Sequence, residues 1–264
     1  MTKEIKISDS TVQDPWGDLK RFTRARIALG RVGSSLPTKE ILNFGMSHAM
    51  AKDAVHLALD VDALKLQIES LDCDVISLHS RAPDRASYLL RPDWGRRLND
   101  QSAKLLIDQV EKSIDVLIVI GDGLSSLAVQ RHAAPMLNAI LQSIPSHWKI
   151  GPVVIASQAR VALADEAGSL MKAQMVILLI GERPGLSSPD SLGIYLTYQP
   201  RVGCSDADRN CISNVRPEGL CYESAARKLI WLAKESLRLK LSGVALKDES
   251  DVHQIVKVEP GLLT

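Results

Sequence analysis

The chain has 264 residues, of which 45% are hydrophobic, so it can bury a sizeable core as one large domain or two small ones. Its 32 Lys and Arg residues nearly balance 31 Asp and Glu residues, and only 4% of the residues are aromatic, which argues against nucleic acid as a partner. The longest apolar run, MVILLI, is far shorter than the roughly 18 residues of a membrane span, which argues against a membrane protein.

The four cysteines have no paired C-x-x-C spacing, and the chain carries no recognisable secretory segment. This pattern predicts free thiols in a reducing cytoplasm and argues against a structural zinc site. The scattered histidines show no ligand spacing, and neither a Walker A loop nor a nucleophile elbow occurs. The sequence therefore gives no indication of metal binding or of independent hydrolytic chemistry.

The N-terminal region, residues 1–70, is predicted to be helical. Asp14 and Pro15 are typical of a helix start and predict a helix through WGDLKRFTRARIALG. A second helix is predicted after Pro37, because apolar residues recur there at helical spacing. The apolar stripe of this helix consists of Ile41, Leu42, Met46, Ala49, Met50 and Ala54.

Residues 71–264 are predicted to form an α/β domain with a Rossmann-like, doubly wound and mostly parallel sheet. Four aliphatic runs alternate with helical segments: CDVISLHS, DVLIVIGDG, PVVIASQ and MVILLIGERPG. Strands that are buried on both faces have continuous Val, Ile and Leu sequences, and their alternation with helices indicates parallel strands joined by right-handed crossovers. GIYLTYQP is a candidate further strand, and VHQIVKVEP is either an edge strand or an irregular end.

The helices of this domain are predicted over residues 94–112, from Leu124, from Asp165 and over SAARKLIWLAKESLRLK. The last of these is amphipathic, and its apolar spacing predicts which side chains face inward. The inward set is Leu229, Ile230, Leu232, Ala233 and Leu237.

The turn in VIGDGLSSLAV is similar to the start of the dinucleotide fingerprint G-x-G-x-x-G. The third glycine is replaced by Ser126, and no acid lies between Asp122 and Asp165, where the fingerprint places the residue that holds the ribose. The sequence therefore argues against NAD. Two interpretations remain open: the turn presents backbone N–H groups to an anion or polar ligand, or it serves tight packing of a helix on the sheet.

Polar segments follow three neighbouring predicted strands: GDGLS, ASQARV and GERPG. Ligands of open α/β sheets bind beyond the carboxyl ends of the strands, so Glu182 is either a ligand contact or half of a surface ion pair with Arg183. RPDWGRRLND is either a helix start with a solvated basic face or a protein interface anchored by Trp94 and its neighbouring arginines. DADRNCISNVRPEGL is predicted to be a functional polar loop.

Five segments in fixed order resemble the small (light) subunit of ethanolamine ammonia-lyase: RFTRARIALGRVG, RPDWGRRL, GDGLSS, GERPGLSSPDSLG and DRNCISNVRPEGL. That enzyme depends on adenosylcobalamin and converts ethanolamine to acetaldehyde and ammonia. The resemblance extends from about residue 16 to residue 240. It implies a role in ethanolamine degradation, with substrate binding and radical chemistry on a large TIM-barrel subunit. The small subunit is expected to cover the cofactor at the interface, in an assembly of six large and six small chains.

The resemblance also implies which residues touch the cofactor, and it implies no catalytic and no metal-ligating residue in this chain. The hydrophobic residue of ARV is Val161, the glutamate of GERPG is Glu182, and the cysteine of CISN is Cys211. Glu182 can accept hydrogen bonds from amides or ribose hydroxyls, and Val161 can offer backbone groups and an apolar surface. Cys211 suits a backbone or van der Waals contact better than a cobalt bond.

The cofactor is expected to bind base-on, because the histidine motif D-x-H-x-x-G is approached only by DVHQIV, which lacks the glycine. The expected location is the bacterial cytoplasm. Packaging into a bacterial microcompartment is left open, because only about fifteen polar residues precede the first predicted helix, whereas packaged relatives often have a longer extension. The competing hypotheses are a stand-alone α/β enzyme for a nucleotide or phosphorylated ligand, and an adaptor protein.

Overall fold

The computed structural model describes residues 11–109 and 114–251, and within them six strands form one sheet in the order β1-β3-β2-β4-β5-β6. The strands are β1 Val75–His79, β2 Val116–Gly121, β3 Val153–Ser157, β4 Met175–Gly181, β5 Leu192–Tyr198 and β6 Arg209–Val215. Strands β1 to β4 pair in parallel, whereas β5 is antiparallel to both β4 and β6. Five strands therefore point the same way, which confirms the mostly parallel α/β sheet.

The α-helices of the described residues are α1 Thr38–His56, α2 Val61–Glu69, α3 Arg85–Leu90, α4 Asp100–Asp108, α5 Ser126–Ser143, α6 Val161–Leu170 and α7 Tyr222–Leu239. Short 3-10 helices occupy Gly17–Phe22, Trp94–Arg96, Asp206–Asp208 and Gly243–Ala245. The strand order differs from the order 3-2-1-4-5-6 of the dinucleotide-binding fold, so the Rossmann-like description stays a prediction.

Helices cover both faces of the sheet. Side chains of α2, α5 and α7 form the core on one face with Ile118 and Ile177, and those of α4 and α6 form the core on the other face with Leu117 and Val176. Every residue of β2 and β4 is buried. Because a strand covered on both faces meets apolar surroundings at each position, these two strands need unbroken aliphatic sequences.

The segment predicted as a polar loop contains strand β6, so that prediction is wrong. Arg209, Ile212 and Val215 of this strand are buried, whereas its exposed positions carry polar side chains. β6 is the last strand in the sheet order and pairs with β5. An edge strand with one covered face needs few apolar residues, which is why its composition suggested a loop.

The helix predicted through residues 16–30 is also wrong, because the structure has only the 3-10 helix Gly17–Phe22 there. Trp16, Leu19 and Phe22 are exposed, so the 3-10 helix packs no apolar face against the described part of the chain. A long helix gains most of its stability from such packing.

Two helices of the α/β part differ in their bounds from the prediction. The helix expected over residues 94–112 is interrupted, since Leu98 bridges to Ser80 and the Asn99 side chain then caps α4 by accepting from the N–H of Ser102 at 2.8 Å. The helix expected from Asp165 begins four residues earlier, at Val161. The closing helix α7 buries Leu229, Ile230, Leu232 and Ala233, and Leu237 is partly buried against the same core.

The N-terminal region divides into a packed and an unpacked part. Leu64 and Ile68 of α2 are fully buried in the core of the sheet. In α1, by contrast, Ala54 is the one buried residue, and the larger apolar side chains of the predicted stripe are exposed. The division of the chain at residue 70 stays a prediction.

Within the described residues, no helix is long and apolar enough to cross a membrane. The same residues contain no group of three His, Cys, Asp or Glu side chains placed to hold a metal ion. The candidate strand VHQIVKVEP lies outside the described residues, as does most of the DVHQIV segment.

Candidate functional site

The candidate site lies at the carboxyl ends of the parallel strands, where the chain leaves β2 and β3 toward opposite faces of the sheet. The connection after β2 enters α5 on one face, whereas the connection after β3 enters α6 on the other. Ligands of open α/β sheets bind in the crevice at such a point. The loop that follows β4 and carries Glu182 reaches the same edge.

An open cleft of about 790 Å³ extends from this edge, at Arg160 and Val161, past β5 and β6 to the loop after β5, and a recess of about 140 Å³ adjoins it. Arg160, Val161 and Tyr195 line both, Cys211 lines the cleft, and Glu182 lines the recess. The remaining side chains of the cleft include Arg96, Arg97, Cys204, Asp206 and Arg209. The three residues predicted from the sequence therefore line the cleft and the adjoining recess, although they come from three separate elements.

Glu182 follows β4 directly and is half-buried. Its N–H donates to the carbonyl of Ser191 at 3.0 Å, and its Oε2 accepts from the N–H of Asn214 at 3.2 Å. The second carboxylate oxygen has no hydrogen-bond partner within the described parts of the chain, and no ion pair joins Glu182 to Arg183 there. One oxygen thus fixes the side chain to β6, and the other remains able to accept a hydrogen bond.

Tyr195 was not singled out in the sequence, yet it lies between Glu182 and Cys211. It is opposite Cys211 in the antiparallel register of β5 and β6, and it lines both the cleft and the recess. Burial raises the pKa of Tyr195, and the neighbouring Cys211 and Glu182 raise it further. The hydroxyl therefore stays protonated and can donate or accept a hydrogen bond in the cleft. The available sequence signal was a tyrosine between the two aliphatic residues Ile194 and Leu196 in the run GIYLTY.

Val161 is the first residue of α6, and Arg160 is its N-cap. The side chain of Arg160 makes no capping hydrogen bond to the N–H groups at the start of the helix, and Val161 and Ala162 line the cleft. The Arg160 guanidinium lies 4.2 Å from the ring centre of buried Tyr88 and donates to the Tyr88 carbonyl at 3.4 Å. Val161 thus contributes an apolar side chain beside the backbone N–H groups at the start of α6.

Two acids of α6 hold the two sides of the cleft. Nε and Nη2 of Arg209 both donate to Oδ2 of Asp165, at 3.0 and 2.5 Å, and both side chains are buried. Arg97 makes two parallel hydrogen bonds to Glu166, at 3.0 and 2.9 Å, and Glu166 also accepts from the N–H of Leu98. Because charge-assisted pairs of this kind fix geometry, α6 positions the segments that carry Arg97 and Arg209 relative to Val161.

These ion pairs show how the segment RPDWGRRLND is held within the fold. Arg97 pairs with Glu166 inside the fold. The guanidinium of Arg91 lies over the Trp94 ring, 4.6 Å from its centre. Arg96 is exposed and lines the cleft. The segment therefore forms a short 3-10 helix and one side of the cleft, and the protein interface anchored by Trp94 stays a prediction. The sequence signal for these ion pairs was the presence of two adjacent acids, Asp165 and Glu166, in the otherwise mostly apolar segment VALADEAGSL.

Asp122 and Ser125 have structural partners at the same edge. The Asp122 carboxylate is buried and accepts from the N–H groups of Gln158 and Ala159, at 2.9 and 2.8 Å. Ser125 caps α5 by accepting from the N–H of Ala128 and donates to the carbonyl of Pro189 at 2.8 Å. These bonds hold the loops after β3 and β4, which carry Val161 and Glu182.

The glycine-rich turn after β2 packs against the end of β4. Gly123 has φ +58°, and a Cβ at this position would overlap the carbonyl oxygen of Gly181. A Cβ on Gly181 would in turn overlap the carbonyl oxygen of Ser125. These contacts support the interpretation of tight packing, and Gly123 also lines the recess, so the interpretation as a ligand-facing turn stays a prediction.

Comparison with known proteins gives one consistent result. A family model described as "Ethanolamine ammonia-lyase light chain (EutC)" matches residues 13–247. Proteins named ethanolamine ammonia-lyase small subunit are similar over almost their whole length. One from Pseudomonas fluorescens SBW25 is 50% identical, covering 99% of this chain and 96% of the relative. One from Ralstonia nicotianae is 52% identical over 96% and 95%, and one from Azotobacter vinelandii is 53% identical over 92% of each.

Proposed function

The chain belongs to the ethanolamine ammonia-lyase light-chain family, and we propose that it covers one side of adenosylcobalamin in that lyase. As a small subunit, it has a large subunit as its partner. The proposed assembly contains six large and six small chains and degrades ethanolamine to acetaldehyde and ammonia. The proposed location is the bacterial cytoplasm, with packaging into a microcompartment left open.

One observation carries the proposal. Val161, Glu182 and Cys211 line a cleft and the recess that adjoins it, although the start of α6, the end of β4 and the middle of β6 supply them separately. The cleft is open rather than enclosed, which suits a large flat ligand that a second chain covers from the other side. A stand-alone nucleotide enzyme is less well supported, because the glycine-rich turn lacks the third glycine and the following acid of the dinucleotide fingerprint.

The residues around the cleft and the recess fit the chemistry of cobalamin. Its peripheral amides and ribose require hydrogen-bond acceptors and donors, which Glu182, the Tyr195 hydroxyl and the first N–H groups of α6 can provide. Its apolar ring requires van der Waals surface, which Val161 and Cys211 can provide. The bound cofactor would supply the radical chemistry of the lyase, whereas this chain would bind, orient and exclude water. No catalytic residue is proposed here.

The proposal is tested by purifying the chain alone, the large subunit alone and the co-expressed complex. We expect retained cobalamin and ammonia release from ethanolamine in the complex. Ammonia release by this chain alone, or full activity of the large subunit without it, would contradict the proposed function. The cofactor is proposed to bind base-on, so a cobalt spectrum with a histidine nitrogen in place of the benzimidazole nitrogen would contradict that part.

A further inference from the structure

We propose that residues 12–57, here called the arm, form the surface that docks on the large subunit. The inference rests on the proposed function and deepens it, because it names the part of this chain that the partner covers. The arm consists of the 3-10 helix Gly17–Phe22, the basic segment after it and helix α1.

The arm exposes more large apolar side chains than all the other described residues together. Twenty large hydrophobic residues are exposed among the described residues, and twelve of them lie between Val12 and Leu57. Exposed apolar residues are ordinary when scattered, but a contiguous set on one element marks an interaction surface. The imbalance therefore points to burial of the arm by a partner.

Helix α1 concentrates this surface into a stripe. Leu42, Met46 and Met50 follow one another at four-residue spacing, so they lie on one face of the helix. Their exposed fractions are 67%, 65% and 52%. A helix gains its stability mainly from packing an apolar face, and methionine adapts readily to a partner surface. The stripe is thus arranged for contact with a second protein.

The charge of the arm favours docking on a different chain over docking on a second copy of this chain. Residues 17–31 contain five basic side chains and a single acid, Asp18; the basic residues are Lys20, Arg21, Arg24, Arg26 and Arg31. A twofold dimer places the same patch of both copies face to face, which would bring these basic segments together. A partner with acidic side chains around an apolar groove fits the arm better. The larger subunit implied by the small-subunit family is the partner to which we commit.

The arm is continuous with the cofactor side of the molecule. Nη2 of Arg26 donates to the carbonyl of Leu186 at 3.5 Å, and a groove of about 390 Å³ lies between the arm and Leu186 and Ser187. This is the loop that begins at Glu182. A single partner that covers the cleft can therefore extend across this loop onto the arm.

The test compares two sets of substitutions on exposed helical positions. The test variant combines Leu42→Gln, Met46→Gln and Met50→Gln, and glutamine preserves helix propensity. The control variant combines Leu66→Gln, Ile107→Gln and Leu239→Gln, whose side chains are also exposed but lie on α2, α4 and α7. Isothermal titration with the large subunit measures the Kd, and circular dichroism checks the helix content of both variants.

We expect the test variant to weaken subunit association about tenfold or more, as expected when several central interface residues are truncated. The control variant should bind like the wild type. An unchanged Kd for the test variant overturns the inference. A test variant whose own mass falls in light scattering, while its Kd for the large subunit is unchanged, also overturns it, because the stripe would then join two copies.

Failure of the proposed function gives a different result. In that case the wild-type chain does not bind the large subunit at all, or the complex does not retain cobalamin.

Discussion

The carboxyl group of Glu182 lies against Gly193 on the neighbouring strand β5. A Cβ built on Gly193 would be 3.2 Å from both Cγ and Oε1 of Glu182, which is tighter than ordinary van der Waals contact. Gly193 is also buried, so the carboxylate occupies the space that a side chain on β5 would fill. The direction in which Glu182 faces the recess therefore depends on a glycine eleven residues further along the chain.

Gly193→Ala should displace the Glu182 carboxylate and weaken cobalamin retention by the complex, while the sheet remains folded. The matched control is Gly185→Ala in the same loop, where an added Cβ would meet its nearest atom at an ordinary 3.6 Å. Cobalamin absorbance after gel filtration of each complex measures retention. Equal retention in the two variants would show that the position of Glu182 does not matter.

Glu182→Ala should weaken cobalamin binding by about 1–3 kcal/mol, the usual cost of a lost polar contact. The fold should remain intact, because Glu182 is half-buried and one of its oxygens bonds to a single backbone N–H, that of Asn214. The measurement is the Kd of the complex for cobalamin, with thermal unfolding as the check on the fold. An unchanged Kd would make Glu182 an ordinary surface residue.

Arg209→Leu should lower the free energy of unfolding by about 3–5 kcal/mol, because it leaves the buried Asp165 carboxylate without its partner. Arg238→Leu is the control, since Arg238 forms an exposed pair with Glu235 and should change stability little. Urea unfolding of both variants gives the comparison. Similar small losses for the two variants would mean that the Asp165–Arg209 pair does not hold the cleft.

The free energy of unfolding should fall as the pH drops through about 6.5, in part because of His132. Burial lowers the pKa of His132 below its ordinary value, and the charge of Asp190 opposes this only in part. Below about pH 6.5, His132 therefore binds a proton in the unfolded chain but not in the folded chain, and this difference favours unfolding. Above that pH the His132 contribution no longer changes with pH.

His132→Asn should reduce this dependence, because asparagine can replace the hydrogen bond between Nδ1 and the Tyr222 hydroxyl at 2.7 Å but does not titrate. Urea unfolding at about pH 7.5 and 5.5 compares the variant with the wild type. If both proteins lose the same stability between the two pH values, His132 is not the group responsible.

The sequence alone determined the buried strands and the family. β2, β3 and β4 were predictable because a strand covered on both faces needs a continuous aliphatic run, and such runs are visible within a few residues. The inward face of α7 was visible for the same local reason, as a helical repeat of apolar residues. The order of five long segments was enough to indicate the light-chain family.

The tertiary structure decided the features that depend on distant residues. The ion pairs Arg209–Asp165 and Arg97–Glu166 join residues 44 and 69 positions apart, so no local pattern could show them. The edge strand β6 was missed because one covered face leaves most of its positions polar. The exposed stripe of α1 has the same periodicity as a buried one. Periodicity shows which side chains share a face, but only the packed chain shows whether anything covers that face.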